Sequence, residues 1–267
     1  MNARRKLFFF GKGGGAALDP DYQAVLDYAT AQSYTLPSAS QQTAQNKLVL
    51  DLKAAGVWNK LYFLYLVATD GDVNFAGLDM KNPATREWTL INSPTFVPNE
   101  KILGDGISAG INTNFNPVLH ADADFANNNT FGAFQTEDVE GGLKSIIGNF
   151  TLSSRSEIDN DFDNGRFVYF NHRTTAFRSA SSASQQGFIA TRSNASDYAD
   201  LLQNKSLIGT DNNSSGSPNN VNFALLQRAG GAIPNDGGIS IAFASKYLTD
   251  QEWEDFNDIF TTYKAAI

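Results

Sequence analysis

The chain has 267 residues, 42% of them hydrophobic and 12% aromatic, which is enough for one sizeable core, because chains near this length bury roughly three quarters of their unfolded surface. Its net charge is −8. Residues 1–12 contain four basic side chains and no acidic one, so residues 13–267 carry a net charge of −12. A chain body with this charge repels the phosphates of nucleic acids. The absence of cysteine excludes disulfides and thiolate chemistry, and two histidines are too few for a histidine metal cage.

The chain begins with a basic and apolar run followed by a glycine tract, MNARRKLFFFGKGGG. Its apolar part is shorter than the roughly 7–15 residues of a signal-peptide core, and no stretch reaches the roughly 18 apolar residues of a membrane span. Two hypotheses remain: a disordered terminus, or a flexible peptide over residues 1–18 that anchors the chain in a groove on a partner. The residues predicted to contact such a partner are Arg4, Arg5, Lys6, Leu7, Phe8, Phe9 and Phe10.

Residues 19–57 are predicted to form a helical hairpin. The first helix follows Asp19, with apolar side chains at helical spacing in DPDYQAVLDYATAQSY. The second begins at Ser38 or Ser40 and ends at Gly56, a residue that commonly stops helices.

From residue 58 the pattern changes to short apolar segments separated by Gly, Asn, Asp and Ser, which indicates a β-sandwich over residues 58–267. The predicted strands lie in KLYFLYLVATDGD, VNFAGLDM, GINTNF, NNTFGAFQT, SIIGNFTLSS, GRFVYFNHR, GFIATRS, DYADLLQNKSLIGT, VNFALLQR and GISIAFAS. The stretch DNNSSGSPNN is predicted to be an exposed loop.

The sequence ends in a predicted helix. Thr249 and Glu252 have the spacing of a capping box, and an aromatic stripe follows at helical spacing. Its members, predicted to pack on the edge of the sandwich, are Trp253, Phe256, Phe260 and Tyr263.

Several motifs carry a family resemblance. DGISAGINTNFNP resembles a stretch of concanavalin A-like, laminin-G-like sandwich domains, and GISIAFASKYLTDQEWEDFNDIF resembles their closing strand and helix. Together with the leader, DPDYQAVLDYAT, LVLDLKAAGVWNKLYFLYLVATDGD and NSPTFVPNEKILGDG, these segments resemble structural proteins of phages that infect Bacteroidetes. The resemblance implies a mainly β protein with a lectin-like jelly-roll sandwich, carried on a virion.

The segment SEIDNDFDNG allows a catalytic interpretation. Glu157 and Asp159 match the first two positions of the E-x-D-x-E strand of concanavalin A-like glycosidases, in which alternate carboxylates flank the glycosidic bond. The third position holds Asp161 rather than the acid/base glutamate. We therefore do not expect an enzyme. A glycan-cleaving depolymerase using Glu157 and Asp161 remains the alternative.

The same segment allows a metal interpretation. Asp159, Asp161 and Asp163 alternate as at the start of a calcium loop, although the glycine and glutamate of an EF-hand are missing. The alternatives are an irregular calcium site and a solvated acidic turn. No other cofactor is predicted.

The resemblance implies a virion structural protein of a bacteriophage. The N-terminal peptide would dock to another virion protein of the capsid, vertex, head fibre or tail, and the sandwich would bind host-surface polysaccharide. A homo-oligomer is expected, most simply a trimer, because repetition strengthens weak contacts. Nucleic-acid partners and a membrane span are not expected. A purely architectural capsid decoration without ligand is a further alternative.

Overall fold

The computed structural model describes residues 17–139, 142–151, 155–160, 166–173, 177–178, 186–212, 215–228 and 231–267, with the backbone alone for 166–178. The predicted anchoring peptide, apart from residues 17 and 18, lies outside the described residues. Within them, no helix has both the length and the apolar character needed to cross a membrane.

The described residues form two antiparallel sheets. The first sheet contains β1 (Leu61–Leu66), β3 (Thr95–Val97), β4 (Lys101–Leu103), β6 (Asn129–Gln135), β11 (Gly187–Ala195), β12 (Tyr198–Gln203), β13 (Ser206–Asp211) and β15 (Gly238–Ser245). Its order is β13-β12-β11-β6-β15-β4-β3, and β1 also pairs with β15.

The second sheet contains β2 (Thr89–Ile91), β5 (Gly110–Asn112), β7 (Lys144–Phe150), β8 (Arg155–Asn160), β9 (Arg166–Arg173), β10 (Phe177–Arg178) and β14 (Ala224–Leu225). Its order is β10-β9-β8-β7-β14-β5-β2. Strands β7 to β10 are consecutive in the chain, whereas β14 lies between β7 and β5, which both come much earlier in the sequence.

The helices are α1 (Pro20–Ala31), α2 (Ala39–Ala54), α3 (Val73–Ala76), α4 (Pro117–His120) and α5 (Asp250–Ala266), with 3₁₀ turns at Trp58–Lys60 and Phe125–Asn127. The predicted caps of the hairpin are confirmed: the Asp19 carboxylate accepts from the Asp21 N–H, and the Ser38 hydroxyl accepts from the Gln41 N–H. Gly56 follows α2 with a φ of 76°, a conformation that glycine adopts without strain.

The strand β1 shows how the layers are arranged. All six of its residues are buried, because both faces of the first sheet are covered. Phe63 and Tyr65 lie in the core between the two sheets, whereas Leu64 and Leu66 lie in a second core beneath the helices. The molecule therefore has three layers: helices, first sheet and second sheet. The helical hairpin shares a core with the sandwich.

The aromatic stripe of α5 covers the face of the first sheet instead of its edge, where the sequence pattern had placed it. Phe256 packs against Phe243 of β15, with ring centres 4.4 Å apart, and against Phe188 of β11 at 5.4 Å. The predicted capping box of this helix is confirmed. The face is favoured over the edge because it offers a continuous apolar surface from several strands.

Two of the predicted strands differ in the structure. VNFAGLDM contains the short helix α3, because the Asp72 carboxylate caps it by accepting from the Phe75 N–H. DYADLLQNKSLIGT is a hairpin of two strands, β12 and β13, that turns through Asn204 with a φ of 51°. Asparagine tolerates this left-handed conformation better than most residues do.

Candidate functional site

The outer face of the second sheet carries a buried group of charges. In β8, Ile158 lies in the core between the sheets, so its neighbours Glu157 and Asp159 project from the opposite face. This arrangement confirms that the two carboxylates share a face, as the alternation predicted. Both are nevertheless buried, with 1% and 0% of their surface exposed.

Arg228 neutralises this pair of carboxylates. Its Nε and Nη2 donate to the two Glu157 oxygens at 2.8 and 2.5 Å, and Nη2 also reaches Asp159 Oδ2 at 3.3 Å. The residue opposite Glu157 on the intervening strand β7 is Gly148, where a side chain would collide with Ser156 and Glu157. The guanidinium lies 4.6 Å from the ring centre of Phe150, also on β7. Arg228 therefore fixes the segment after β14 across two strands.

Burial changes the acidity of both carboxyls. It raises the pKa of Glu157, while Arg228 opposes that rise. For Asp159, burial and the negative charge of Glu157 hold the pKa well above its usual range. One arginine thus faces two buried carboxyls, and its donors are directed at them.

A pocket of about 340 Å³ opens on the same sheet, beside this charged group. It is lined by Ile91, Asn112, Asn116, Asn220, Val221, Asn222, Phe223, Ala224 and Gln227. Its size falls within the range of small-molecule sites in proteins. All the polar side chains in its lining are amides.

Two chain segments form the walls, and hydrogen bonds hold them side by side. Thr113 donates from both its N–H and its hydroxyl to the Phe223 carbonyl, at 3.0 and 2.8 Å, and the Phe223 N–H donates to the Phe115 carbonyl at 2.8 Å. At the rim, Asn116 Nδ2 donates to Asn220 Oδ1 at 2.9 Å. The walls are therefore positioned before any ligand arrives.

The rim continues into α4. Burial lowers the pKa of His120, and the charge of Arg86 acts in the same direction, so the imidazole is neutral and its Nδ1 accepts from the Asn116 N–H at 2.9 Å. Val118 and Leu119, which precede His120 in α4, are exposed apolar side chains.

Gln227 is the most deeply buried polar side chain among those in the lining. It is 1% exposed, packs over Gly110 of β5, and its Oε1 has no hydrogen-bond partner among the described residues. A side chain at position 110 would overlap the Gln227 amide, so glycine is required there. A buried acceptor without a donor costs free energy unless a ligand or water supplies one.

Most of the other predicted site residues, those of the anchoring peptide and of the calcium interpretation, are not described by the structure. The seven residues of the anchoring peptide, together with Asp161 and Asp163, lie outside the described residues. Asp159 is bound to Arg228, and the described part of the chain contains no group of three acidic or histidine side chains suited to a metal ion. The calcium interpretation thus stays a prediction.

Sequence reasoning missed Gln227, Arg228 and the asparagines of the pocket. One signal was present, because the stretch that resembles laminin-G-like domains supplies Asn112 and Asn116. The other wall begins at the end of the predicted loop DNNSSGSPNN, with Asn220.

Comparison with known proteins gives a likeness of structure. No family model and no curated sequence matches the chain. The sialidase of Trypanosoma rangeli in complex with sialic acid matches with a TM-score of 0.55 at 12% identity, covering 73% of this chain and 32% of the sialidase. The same sialidase without a named ligand gives 0.54 at 12% identity, covering 81% and 38%.

The shared feature is the fold. The CBM40 of the Ruminococcus gnavus IT-sialidase bound to α2,3-sialyllactose gives a lower TM-score of 0.44 at 18% identity, covering 61% of this chain and 96% of that one. The chain spans about a third of the length of the sialidases it matches. At these identities the similarity shows a mainly β, two-sheet sandwich.

Proposed function

We propose that this chain is a lectin-like protein that binds glycans in the amide-lined pocket of the second sheet. The observation that carries the proposal is the pocket itself, with four asparagines and the buried, unpartnered acceptor of Gln227 in its lining. Sugar hydroxyls donate and accept hydrogen bonds, and carboxamides do both as well. The apolar side chains between the amides suit the C–H faces of a sugar ring.

The fold supports the same proposal. A sialidase of which about a third matches this fold was solved with sialic acid, so the fold accompanies glycan chemistry in at least one protein. We further propose that the connectivity is that of a concanavalin A-like, laminin-G-like jelly roll, on the strength of the resemblance of DGISAGINTNFNP and the C-terminal segment.

We propose binding without cleavage. Both oxygens of Glu157 are engaged by Arg228 and the side chain is 1% exposed, which is unfavourable for attack on a glycosidic bond. The depolymerase alternative predicts that Glu157→Gln abolishes sugar release from host polysaccharide. The binding proposal predicts no release by the wild type.

Asn222→Ala should weaken glycan binding about 5-fold, the effect of losing one hydrogen bond to a ligand. Asn222 is half-buried in the pocket lining, so its truncation leaves the fold intact. The measurement is retention on an array of bacterial surface glycans. Asn59→Ala is the matched control, because Asn59 is exposed in the 3₁₀ turn beneath the helical layer. Equal retention of both variants, or a silent array with the wild type, would contradict the proposal.

We also propose that the chain is part of a bacteriophage virion, exposed at the surface as a homotrimer and anchored by residues 1–18. The support is the resemblance of nearly the whole sequence to structural proteins of such phages, together with the basic and aromatic leader. Arg4, Arg5 and Lys6 would contact acidic surface, and Phe8, Phe9 and Phe10 would fill apolar pockets.

Deletion of residues 1–17 should abolish capture of one capsid or tail protein in a pull-down from purified phage proteins. The full chain and the truncated chain are compared directly, and glycan binding by both is measured as the control for folding. Capture of the same protein by both chains would show that the leader is not the anchor. An architectural protein would instead be captured by its leader while the glycan array stays silent.

A further inference from the structure

We infer that the pocket selects neutral sugar chains and discriminates against acidic ones such as sialic acid. The inference rests on the proposed glycan binding and names the chemical class of the ligand. It follows from three features of the described residues: an uncharged lining, a neighbouring arginine that is already occupied, and a buried acceptor.

No charged side chain is among the residues that line the pocket. They are four asparagines, one glutamine and four apolar residues. Recognition of a carboxylate or sulfate normally uses arginine or lysine, whose donors match the anion in geometry and charge. Amides recognise hydroxyls without a requirement for charge.

The cation that adjoins this lining in sequence is Arg228, which directly follows Gln227. Its guanidinium is bound to Glu157 and Asp159 and stacked on Phe150, and its side chain is 10% exposed. Its donors are therefore engaged within the protein, and little of the guanidinium is available to an anionic sugar. An acidic ligand would also meet a chain body of net charge −12.

The acceptor of Gln227 adds selectivity. Oε1 is buried without a donor, and a sugar hydroxyl or amide N–H can supply one. An ionised carboxylate only accepts hydrogen bonds, so it would leave Oε1 unpaired and be repelled by it. The acceptor therefore favours a hydroxyl or an amide N–H over a carboxylate at this position of the pocket.

The test compares neutral and acidic glycans on the full chain. Neutral mannan, dextran and galactan oligosaccharides are titrated beside polysialic acid and alginate oligosaccharides, at low and at high sodium chloride. We expect binding within the neutral set, unchanged by salt because no ion pair is formed with the ligand. Gln227→Met should weaken that binding at least about 10-fold, since it removes the acceptor that pairs with a sugar donor.

Asn222→Lys is the second variant, because a half-buried position at the pocket tolerates substitution even if Gln227→Met destabilises the fold. It should gain salt-sensitive binding of the acidic set. Salt-sensitive binding of acidic glycans alone by the wild type would overturn the neutral-sugar inference while leaving glycan binding intact. Binding of neither set would overturn both.

Discussion

Replacing Arg228 with methionine should lower the free energy of unfolding by about 3–5 kcal/mol at neutral pH, because it leaves two buried carboxyls without their cation. Glu157 and Asp159 are 1% and 0% exposed, so water does not replace the lost hydrogen bonds. The measurement is urea denaturation followed by tryptophan fluorescence. Glycan binding should fall as well, because Arg228 fixes the segment that carries Gln227.

The destabilisation by Arg228→Met should shrink as the pH falls toward about 4. Both carboxyls have folded-state pKa values above their usual ones, mainly through burial, so the folded protein holds their protons more tightly than the unfolded chain does. This tighter proton binding stabilises the folded protein at a pH below about 4, the pKa of the carboxyls in the unfolded chain. The stabilisation is lost as the pH rises through their pKa values in the folded protein. The loss of stability with rising pH is larger without Arg228, although the positive charge of Arg155 still acts on Glu157.

An exposed ion pair provides the control. Lys246 contacts Asp122 at 2.6 Å, with 42% and 50% of the two side chains exposed, so Lys246→Met should cost at most about 1 kcal/mol. Adding Glu157→Gln and Asp159→Asn to Arg228→Met should restore part of the stability, since no buried charge is left. If Arg228→Met lowers the free energy of unfolding by the same amount at pH 4 and at pH 7, the two carboxyls are not the cause of the destabilisation.

The parts of the fold that could be predicted are those determined locally. The caps of α1, α2 and α5 lie within three residues of the groups they bind, and long strands such as β6 and β15 show their apolar pattern in sequence. Strands β2, β3 and β4 have three residues each, which is too short for an alternation of apolar and polar residues to be recognised. They are strands because they pair with neighbouring strands in the sheets. Their existence depends on contacts that a local pattern does not contain.

The site divides in the same way. Strand alternation was enough to place Glu157 and Asp159 on one face. Their partner Arg228 is 71 residues from Glu157 in the chain, and the walls of the pocket are joined by a bond between Thr113 and Phe223 across 110 residues. An acidic strand looks the same in sequence whether an arginine covers it or water does. The burial of these carboxylates under Arg228 therefore could not be predicted from the sequence.

Phe223→Ala should lower the free energy of unfolding by about 3–5 kcal/mol and also reduce glycan binding at least about 10-fold per folded molecule. Phe223 is fully buried, lines the pocket, and packs against Phe131 and Phe115 with ring centres 5.1 and 5.7 Å apart. Its truncation leaves a cavity directly beneath the pocket, into which the wall that carries Asn222 can collapse. Stability is measured by urea denaturation, and binding by titration with the glycan that the wild type retains.

Phe256→Ala separates the two effects, because it should lose similar stability without changing the pocket. Phe256 is also fully buried and in contact with several rings, but it lies in the core between α5 and the first sheet. Native proteins typically have a free energy of unfolding of about 5–15 kcal/mol. We therefore expect each variant to remain folded at low temperature, where binding is compared. Equal binding losses in the two variants would mean that general loosening explains the effect. A loss confined to Phe223→Ala would locate the glycan above this aromatic ring.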